Sequence, residues 1–521
     1  MEGFGPPCSR NFFMEPMLTV ERYTHGVRLS GYTRETLYKM QRFLDTLLLR
    51  EPTKVQGRMV MVTKKKYYGI TDDQRSVFIH RNSYPGLVAH LANVGVTQDR
   101  IKVIDIPVPA SQPATYVVKE KFVLHDYQVI IREDILRPHL HSARVDLQTG
   151  KGKTLTSLAT AAEIGCRMVV MVPPKYFGIW EEALDDVYEA TVDRSIRVSG
   201  SAELQAVINR GIQNDLDGID VILVSNVTYR AYIDAFERLG DQIDTVGYNC
   251  PPPRFHEAIK AGLMISDEIQ EDPGLLFRTD IYTNVAKQIY LSATPYTGSD
   301  YVTKMIDLML PPETACRLPT WESYINVIGV LYSEPDIRTK DYLTPFKNTY
   351  NHARYETEMM KSKKRLKIYN EMVSRILYGQ FICDKQPEQK ALVLCATVAF
   401  IGQLVDFLKE KYPDLAIFEH IAGSPSIRLQ TNDITISTIK SSGTGVDIKN
   451  LRELLLLQAT DSKKDSVQIL GRLRKLKLYP DHTPRMTYVI CTNIPQHVKY
   501  HHNKKSHFEG KALNMALRKY S

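Results

Sequence analysis

Val145–Thr154 reads VDLQTGKGKT, a pattern of residues suited to holding a phosphate chain. Gly150 and Gly152 let the backbone turn tightly enough for several N–H groups to face one anion. Thr149 and Lys151 complete that turn. Lys153 is placed to reach the β- and γ-phosphates of a nucleotide, and the Thr154 hydroxyl to ligate Mg²⁺. Apolar residues precede the loop and Leu155–Ala162 follow it, so the order is strand, loop, helix, and the helix N-terminus adds its dipole to the anion site. The general pattern asks for glycine at position 147, where this chain has Leu147.

Further chemistry is spaced along the rest of the chain. Met264–Gln270, MISDEIQ, sets Asp267 and Glu268 directly after an apolar strand. A carboxylate there can hold the Mg²⁺ that bridges nucleotide phosphates, while its neighbour orients and deprotonates water. Ser292 and Thr294 follow the strand Gln288–Leu291 and can link the acidic site to other parts by hydrogen bonds. In Ile436–Asp447, Gly445 permits a tight turn and Asp447 can bond a ribose or a backbone group. Gln468–Arg474, QILGRLR, presents Arg472 and Arg474. Arginines brought to a γ-phosphate stabilise the charge of the transferring group.

These elements sit in a chain of 521 residues, for which the size prior is about three to four domains. Hydrophobic residues make up 43% and charged residues 24%, the balance of an ordinary globular protein. No apolar run approaches the ~18 residues of a membrane span, and the first residues lack the pattern of a secretory leader. Seven scattered cysteines with no C-x-x-C pair argue for a reducing cytoplasm and against a structural zinc site.

The apolar periodicity supplies the positioning elements. Thr33 caps a helix expected to run to about Arg50, and Arg58–Ile70 and Ser76–His80 read as strands before a short helix near Leu87–Asn93. The Pro-rich stretch Pro107–Thr115 marks a boundary. Beyond it, the short apolar runs Met168–Val172, Val221–Val224, Leu263–Ser266 and Gln288–Leu291 have the character of buried parallel strands. A second set follows at Ala391–Leu394, Ile434–Ser437, Glu453–Leu457 and Met486–Ile490. The expected fold class is α/β, with a small α+β N-terminal domain (1–115), two α/β domains (116–315 and 316–495) and a basic C-terminal tail (496–521).

The order of these motifs resembles helicase superfamily 2 from about Leu124 to Ile490. The shortened loop T-G-x-G-K-T is the form found there. In that family LHDYQ carries a glutamine that contacts adenine, which the resemblance assigns to Gln128. Asp267-Glu268-Ile269-Gln270 is similar to the family's D-E-x-H/D/Q box, with Gln270 in the coupling position, and Gln468 opens the Q-x-x-G-R-x-x-R box. Val172–Trp180 and Val224–Tyr229 look like elements that touch a nucleic-acid strand. The resemblance implies two tandem RecA-like parallel-sheet domains with ATP and Mg²⁺ as cofactors. Within the superfamily the chain looks most like phage helicases of the UvsW type, and XPB-type helicases are a more distant resemblance. In the UvsW type a small DNA-binding domain precedes a motor that unwinds, branch-migrates or reanneals forked DNA. The box departs from the pattern at Lys475, where a second arginine is expected one place after Arg474. Only Ser424–Asn432 separates the strand near Ile417–Ile421 from the strand at Ile434, where the family has a helix.

The net charge of +8 is uneven: residues 1–115 hold 16 Lys/Arg and 10 Asp/Glu, and residues 496–521 hold six Lys/Arg and one Glu. Two basic ends suggest a polyanion partner, and solvated surface lysines explain the same charge equally well. Lys64-Lys65-Lys66-Tyr67-Tyr68 could touch phosphates and stack a base, or simply protect a strand edge. His497 and His501 stand one helical turn apart, yet lack acidic or Cys partners for a metal. The reading is therefore a DNA helicase acting on forked, branched or single-stranded DNA, with phage replication or recombination proteins as partners and a bacterial host cytoplasm as setting. A duplex translocase or RNA helicase with the same motor, and an ATP-regulated clamp with weak hydrolysis, are the alternatives.

Overall fold

The computed structural model describes residues 18–520 except 56–57, 72–73, 149, 190–191, 293–299, 319–321, 346–347, 422–423, 425–427 and 442–447. The chain divides into two compact units. The first runs to Arg317, and the second begins at Leu318 and takes in the loop residues Leu147–Lys151.

The N-terminal elements are β1 (Leu18–Arg22), β2 (Gly26–Ser30), α1 (Arg34–Thr46), β3 (Leu48–Val55), β4 (Arg58–Lys66), β5 (Tyr68–Ile70), β6 (Ser76–His80), α2 (Tyr84–Asn93) and β7 (Ile101–Asp105). Five strands form a sheet in the order β5-β6-β2-β1-β7, with β7 parallel to β1 and the other pairs antiparallel. Strands β3 and β4 pair only with each other. Thr33 caps α1 as expected, its hydroxyl accepting from Thr36 N at 3.2 Å. The helix ends at Thr46 rather than near Arg50, because Leu47 O accepts from Tyr67 N at 3.0 Å and the chain there enters the β3–β4 hairpin. The strand expected over Arg58–Ile70 breaks at Tyr67. That ring turns into the core and packs edge-on against Phe277, with centroids 4.1 Å apart. A base-stacking role for Tyr67 is thereby excluded, since burying so large an apolar surface outweighs leaving it in water.

The α+β module shares its interior with the rest of the first unit. Leu18, Val20, Leu44, Leu49 and Leu87 form one hydrophobic core with Ile269, Phe277, Tyr290 and Met305. A buried hydrogen bond between His80 Nε2 and the Asp280 carboxyl group crosses this junction, and the Tyr290 hydroxyl also donates to Asp280.

The first parallel sheet is built from β8 (Ser142–Asp146), β9 (Met168–Val172), β10 (Ser195–Val198), β11 (Val221–Ser225), β12 (Leu263–Ser266), β13 (Lys287–Ser292) and β14 (Ala315–Arg317). Its order is β10-β11-β9-β12-β13-β8-β14, with every pair parallel. Helices α3 (Asp126–Leu136) and α4 (Lys153–Ile164) flank β8 in sequence. Strands β9 and β11 are buried along their whole length, which is why they read as unbroken apolar runs.

The second unit repeats the plan with β15 (Asn326–Tyr332), β16 (Lys390–Cys395), β17 (Ile417–His420), β18 (Ile434–Thr438), β19 (Leu451–Leu456), β20 (Arg485–Cys491) and β21 (Asn514–Lys519). These order as β17-β18-β16-β19-β20-β15-β21, again all parallel. The shortened 424–432 segment still carries a single helical turn, Arg428–Thr431.

The basic tail expected over 496–521 is part of this unit. Pro495–Phe508 is a helix, and β21 pairs in register with β15 from Asn326↔Asn514 to Leu331↔Lys519. Lys504 is buried, donating to Thr460 O at 2.6 Å and to Ser466 Oγ at 3.2 Å, and burial lowers its pKa to about 8. His497 and His501 are buried as well, each bonded to a tyrosine hydroxyl, Tyr350 and Tyr488 respectively. A strand edge left open by β15 offers hydrogen bonds that a free tail would forgo, and closing it also removes an aggregation-prone edge.

Candidate nucleotide site

The site begins where β8 ends. Arg144 lies inside the fold, donating from Nε to Asp146 Oδ2 at 3.0 Å and from Nη1 to Leu310 O at 2.8 Å. Burial pushes the Asp146 carboxyl up to about 6, against the opposing pull of Arg144. The chain then turns through Leu147, which is buried, and Gly150 at φ +82°. Thr149 lies outside the described residues. Gly152 is left-handed (φ 72°, ψ 38°) and caps α4, so Lys153 is the first helical residue and Thr154 the second. A side chain at 152 would be excluded twice, by this φ and by the Gln128 amide that occupies the space of its Cβ. Gln128 is itself buried in the first turn of α3, its Oε1 accepting from His125 N at 2.9 Å. The glutamine and the glycine-rich turn, 24 residues apart in sequence, therefore meet.

The acidic pair arrives from β12. Register places Asp146 of β8 opposite Ser292 of β13, and Ser266 of β12 opposite Tyr290, so the ends of these strands share one edge of the sheet. Asp267 is held by Trp180, whose Nε1–H donates to Oδ2 at 3.0 Å, and its Oδ1 accepts from Glu268 N at 2.8 Å. Glu268 sits at φ +51°, a left-handed conformation that costs a non-glycine residue roughly 1–3 kcal/mol and tends to persist where function holds it. Its carboxylate accepts from the Gln270 amide, and Gln270 Oε1 accepts from Ser292 Oγ at 2.6 Å. Burial raises the pKa of Asp267. Burial and then the adjacent Asp267 charge raise that of Glu268. Lys153 opposes both shifts, so its ammonium lies within electrostatic reach of the two acids.

The structure thus brings together Gln128, Gly152, Lys153, Asp267, Glu268, Gln270 and Ser292. Thr294, Gly445 and Asp447 lie outside the described residues. In the second unit Gln468 stands on the helix Lys463–Leu470, and Arg472 and Arg474 follow its C-terminal Gly471. Arg472 is buried and Arg474 half-buried, whereas Lys475 is exposed and forms an ion pair with Glu322.

Trp180 is the residue whose role escaped the sequence. The family resemblance groups it with a strand-touching element, yet the helix Phe177–Val187 turns its indole inward onto Asp267. Tyr176 from the same segment is also buried and donates to Glu271 at 3.1 Å. The available signal was that a tryptophan, one of only two in the chain, sits at helical spacing among other apolar positions.

Loops of the second sheet are tied by a buried polar chain. Cys491 N donates to His497 Nδ1 at 3.1 Å, which leaves the proton of that ring on Nε2, 2.5 Å from the Tyr350 hydroxyl. Tyr350 in turn lies 2.5 Å from His352 Nδ1, which also accepts from Ala459 N at 3.2 Å. Glu356 accepts from Ala396 N and Thr397 N at 2.8 and 2.7 Å. The chain ends following β16, β19 and β20 are thus held together by neutral histidines. Burial lowers the pKa of His497 to about 3 and that of His352 far below its usual value.

One strand separates the loop-bearing β8 from the acid-bearing β12, and this order decides the architecture. The fold is RecA-like, twice over. No family model and no curated protein matches the sequence. Among solved structures the chain is similar to Mss116p bound to ssRNA and AMP-PNP (15% identity, 80% of this chain and 82% of that one, TM-score 0.45). It is similar to T4 UvsW as well (13% identity, 97% and 100%, TM-score 0.36). A third is the ATP-dependent Type ISP restriction-modification enzyme LlaBIII bound to DNA (13% identity, 89% of this chain but 37% of that chain, TM-score 0.49).

Proposed function

We propose that this chain is an ATP-hydrolysing nucleic-acid motor of helicase superfamily 2 that unwinds or branch-migrates forked DNA. On this reading it works in the cytoplasm of a bacterial host, beside phage replication or recombination proteins. The observation that carries the reading is the placement of Lys153, at the start of α4, within electrostatic reach of Asp267 and Glu268 at the end of β12, which are themselves joined to Gln270 and Ser292 by hydrogen bonds.

The donor set fits ATP with Mg²⁺. Two glycines at positive φ free the loop backbone to face an anion, and Lys153 adds a full charge at the same helix terminus. Thr154 and Asp267 would hold the metal, which when bound neutralises charge developing on the phosphates. Trp180 keeps Asp267 oriented and favours its ionised form. Glu268 is the base that accepts a proton from the attacking water at its carboxylate. Its raised pKa brings it nearer to working pH than an ordinary glutamate. Gln270 steadies Glu268 and passes its position to Ser292. Gln468, Arg472 and Arg474 are the second unit's residues assigned to the nucleotide.

The test is phosphate release measured with forked DNA, single-stranded DNA, duplex DNA and RNA. Forked DNA should stimulate hydrolysis most, and Lys153→Ala should abolish it. If no nucleic acid stimulates, and Lys153→Ala matches the wild type, the motor is ruled out. Stimulation by RNA alone reassigns the substrate.

A further inference from the structure

The box at 468–474 departs from its pattern at Lys475, and the fold gives that lysine a partner of its own. Glu322 offers one carboxylate oxygen to each of two ammonium groups, Oε1 to Lys475 and Oε2 to Lys151 of the glycine-rich loop. The two lysines hold the Glu322 carboxyl below its usual range, Lys151 foremost. Gln148 of the same loop donates to Glu322 O at 3.3 Å. Two residues on, the Tyr324 hydroxyl donates to Leu473 O at 3.2 Å, and Lys475 Nζ lies 5.9 Å from the Tyr324 ring centre. Residues 322–324 are therefore a short strap, bonded both to the loop and to the turn after the helix Lys463–Leu470. All of them belong to the second unit, which takes in Leu147–Lys151.

Arg474 goes elsewhere. A Cβ at Gly150 would fall on the Arg474 side chain, so this arginine lies directly against the loop backbone. Only glycine permits that approach, and it also meets the φ of +82° at this position. The adjacent residues 474 and 475 thus have separate targets, the loop for the arginine and Glu322 for the lysine. A compact ammonium on a flexible stem suits one oxygen of a shared carboxylate, whereas a planar fork suits a phosphate.

We propose that Glu322 and Lys475 are positioning residues for the nucleotide: the carboxylate grips Lys151 and Lys475 together and keeps the glycine-rich loop in register with the arginine turn, and Arg474 takes the place of the box's second arginine. The negative charge between two lysines sets their spacing, because without it the ammonium groups repel each other. The inference rests on the nucleotide reading above, but the grip itself needs no nucleotide.

The experiment compares the full chain with Glu322→Gln, Lys475→Gln, the double variant and Lys475→Arg. Three quantities are read: amide exchange of the loop without nucleotide, affinity for AMP-PNP with Mg²⁺, and hydrolysis stimulated by forked DNA. Glu322→Gln and Lys475→Gln should each speed loop exchange and weaken AMP-PNP by about threefold to fivefold, the worth of a part-exposed ion pair. The double variant should be no worse than Glu322→Gln, because both substitutions remove one interaction. Saturating kcat should stay within about threefold, as when binding rather than chemistry is lost. In ~1 M salt, where the Debye length is about 3 Å, the gap from wild type should close. Lys475→Arg keeps the charge and should match the wild type. Lys475 is 64% exposed, so its variants carry the test if Glu322→Gln unfolds.

A kcat lowered ~10³-fold by Lys475→Gln, with Glu322→Gln like wild type, would make Lys475 itself the phosphate-facing cation and overturn the proposal. Penalties that add in the double variant, or loop exchange that ignores Glu322→Gln, overturn it too. If loop exchange responds in a chain that binds no AMP-PNP, the nucleotide reading fails and the grip stands. Stimulated hydrolysis and AMP-PNP binding that ignore both substitutions sink the grip alone.

Discussion

The Ser292 hydroxyl donates to the Gln270 side-chain oxygen at 2.6 Å, joining the end of β13 to the acidic turn after β12. Both groups are buried, and the Gln270 amide is committed to Glu268. A shift of either strand end is therefore felt at the proposed base. Ser292→Ala should lower nucleic-acid-stimulated kcat by about tenfold while leaving the KM for ATP within about twofold. Its stability cost should be about 1 kcal/mol, the usual net worth of a buried hydrogen bond. Unchanged stimulation in steady-state assays would remove Ser292 from the coupling role.

Trp180 offers a sharper probe of Asp267, the carboxylate proposed to hold the metal. Its N–H bonds the charged form of Asp267 and so works against the upward shift that burial imposes. Trp180→Phe keeps most of the ring volume and deletes the donor. The Asp267 pKa should then rise further, moving the acid limb of the ATPase pH profile to higher pH. The apparent Mg²⁺ requirement should rise with it. An acid limb that stays in place would show that Asp267 does not set it.

Tyr67 tests the junction between the N-terminal module and the first parallel sheet. The ring packs against Phe277, while its buried hydroxyl has no hydrogen-bond partner among the described residues. Tyr67→Ala should cost ~3–5 kcal/mol, the range for deleting a core aromatic. Tyr67→Phe removes only the unsatisfied oxygen, and should be neutral or stabilising by up to about 1 kcal/mol. Destabilisation of the phenylalanine variant in urea melts would mean that the hydroxyl is bonded in solution.

Stability should peak close to pH ~6.5, because two sets of buried groups oppose each other. Burial raises the pKa of Glu356 to about 7 and that of Glu453 to about 8. The folded chain keeps these protons where the unfolded chain has released them, so stability falls as pH rises toward ~8. Each group contributes at most ~1.4 kcal/mol per pH unit. Conversely, burial lowers the pKa of His25 to about 4 and those of His256 and His497 to about 3. Their unfolded forms take protons near pH ~6.5, so stability is lost as pH drops below that value. Glu453→Gln should flatten the alkaline limb and steepen the acid limb above about pH 4.5, because the extra proton is held across that whole window. Unfolding midpoints that continue to climb to about pH 8 would contradict this assignment.

The loop at 145–154, the acidic turn and most parallel strands were legible because each is a local pattern. Glycines in fixed spacing dictate a turn, and short unbroken apolar runs dictate strands buried on both faces. Strand β6 and the cap at Thr33 were read directly from such signals. Other features depended on residues far apart in the chain. Whether Tyr67 faces solvent depends on Phe277, some two hundred positions away. The 496–521 segment looked like a basic tail because only β15, nearly two hundred residues earlier, offers the open edge that makes Asn514–Lys519 a strand. Trp180 is a core residue by type, and only the packing of its helix brings the indole to Asp267. By itself, the sequence determined which residues could bind a nucleotide and which segments form the sheets. The tertiary structure decided which side chains hold those residues in place, because strand order and side-chain neighbours are non-local and no short window of sequence contains them.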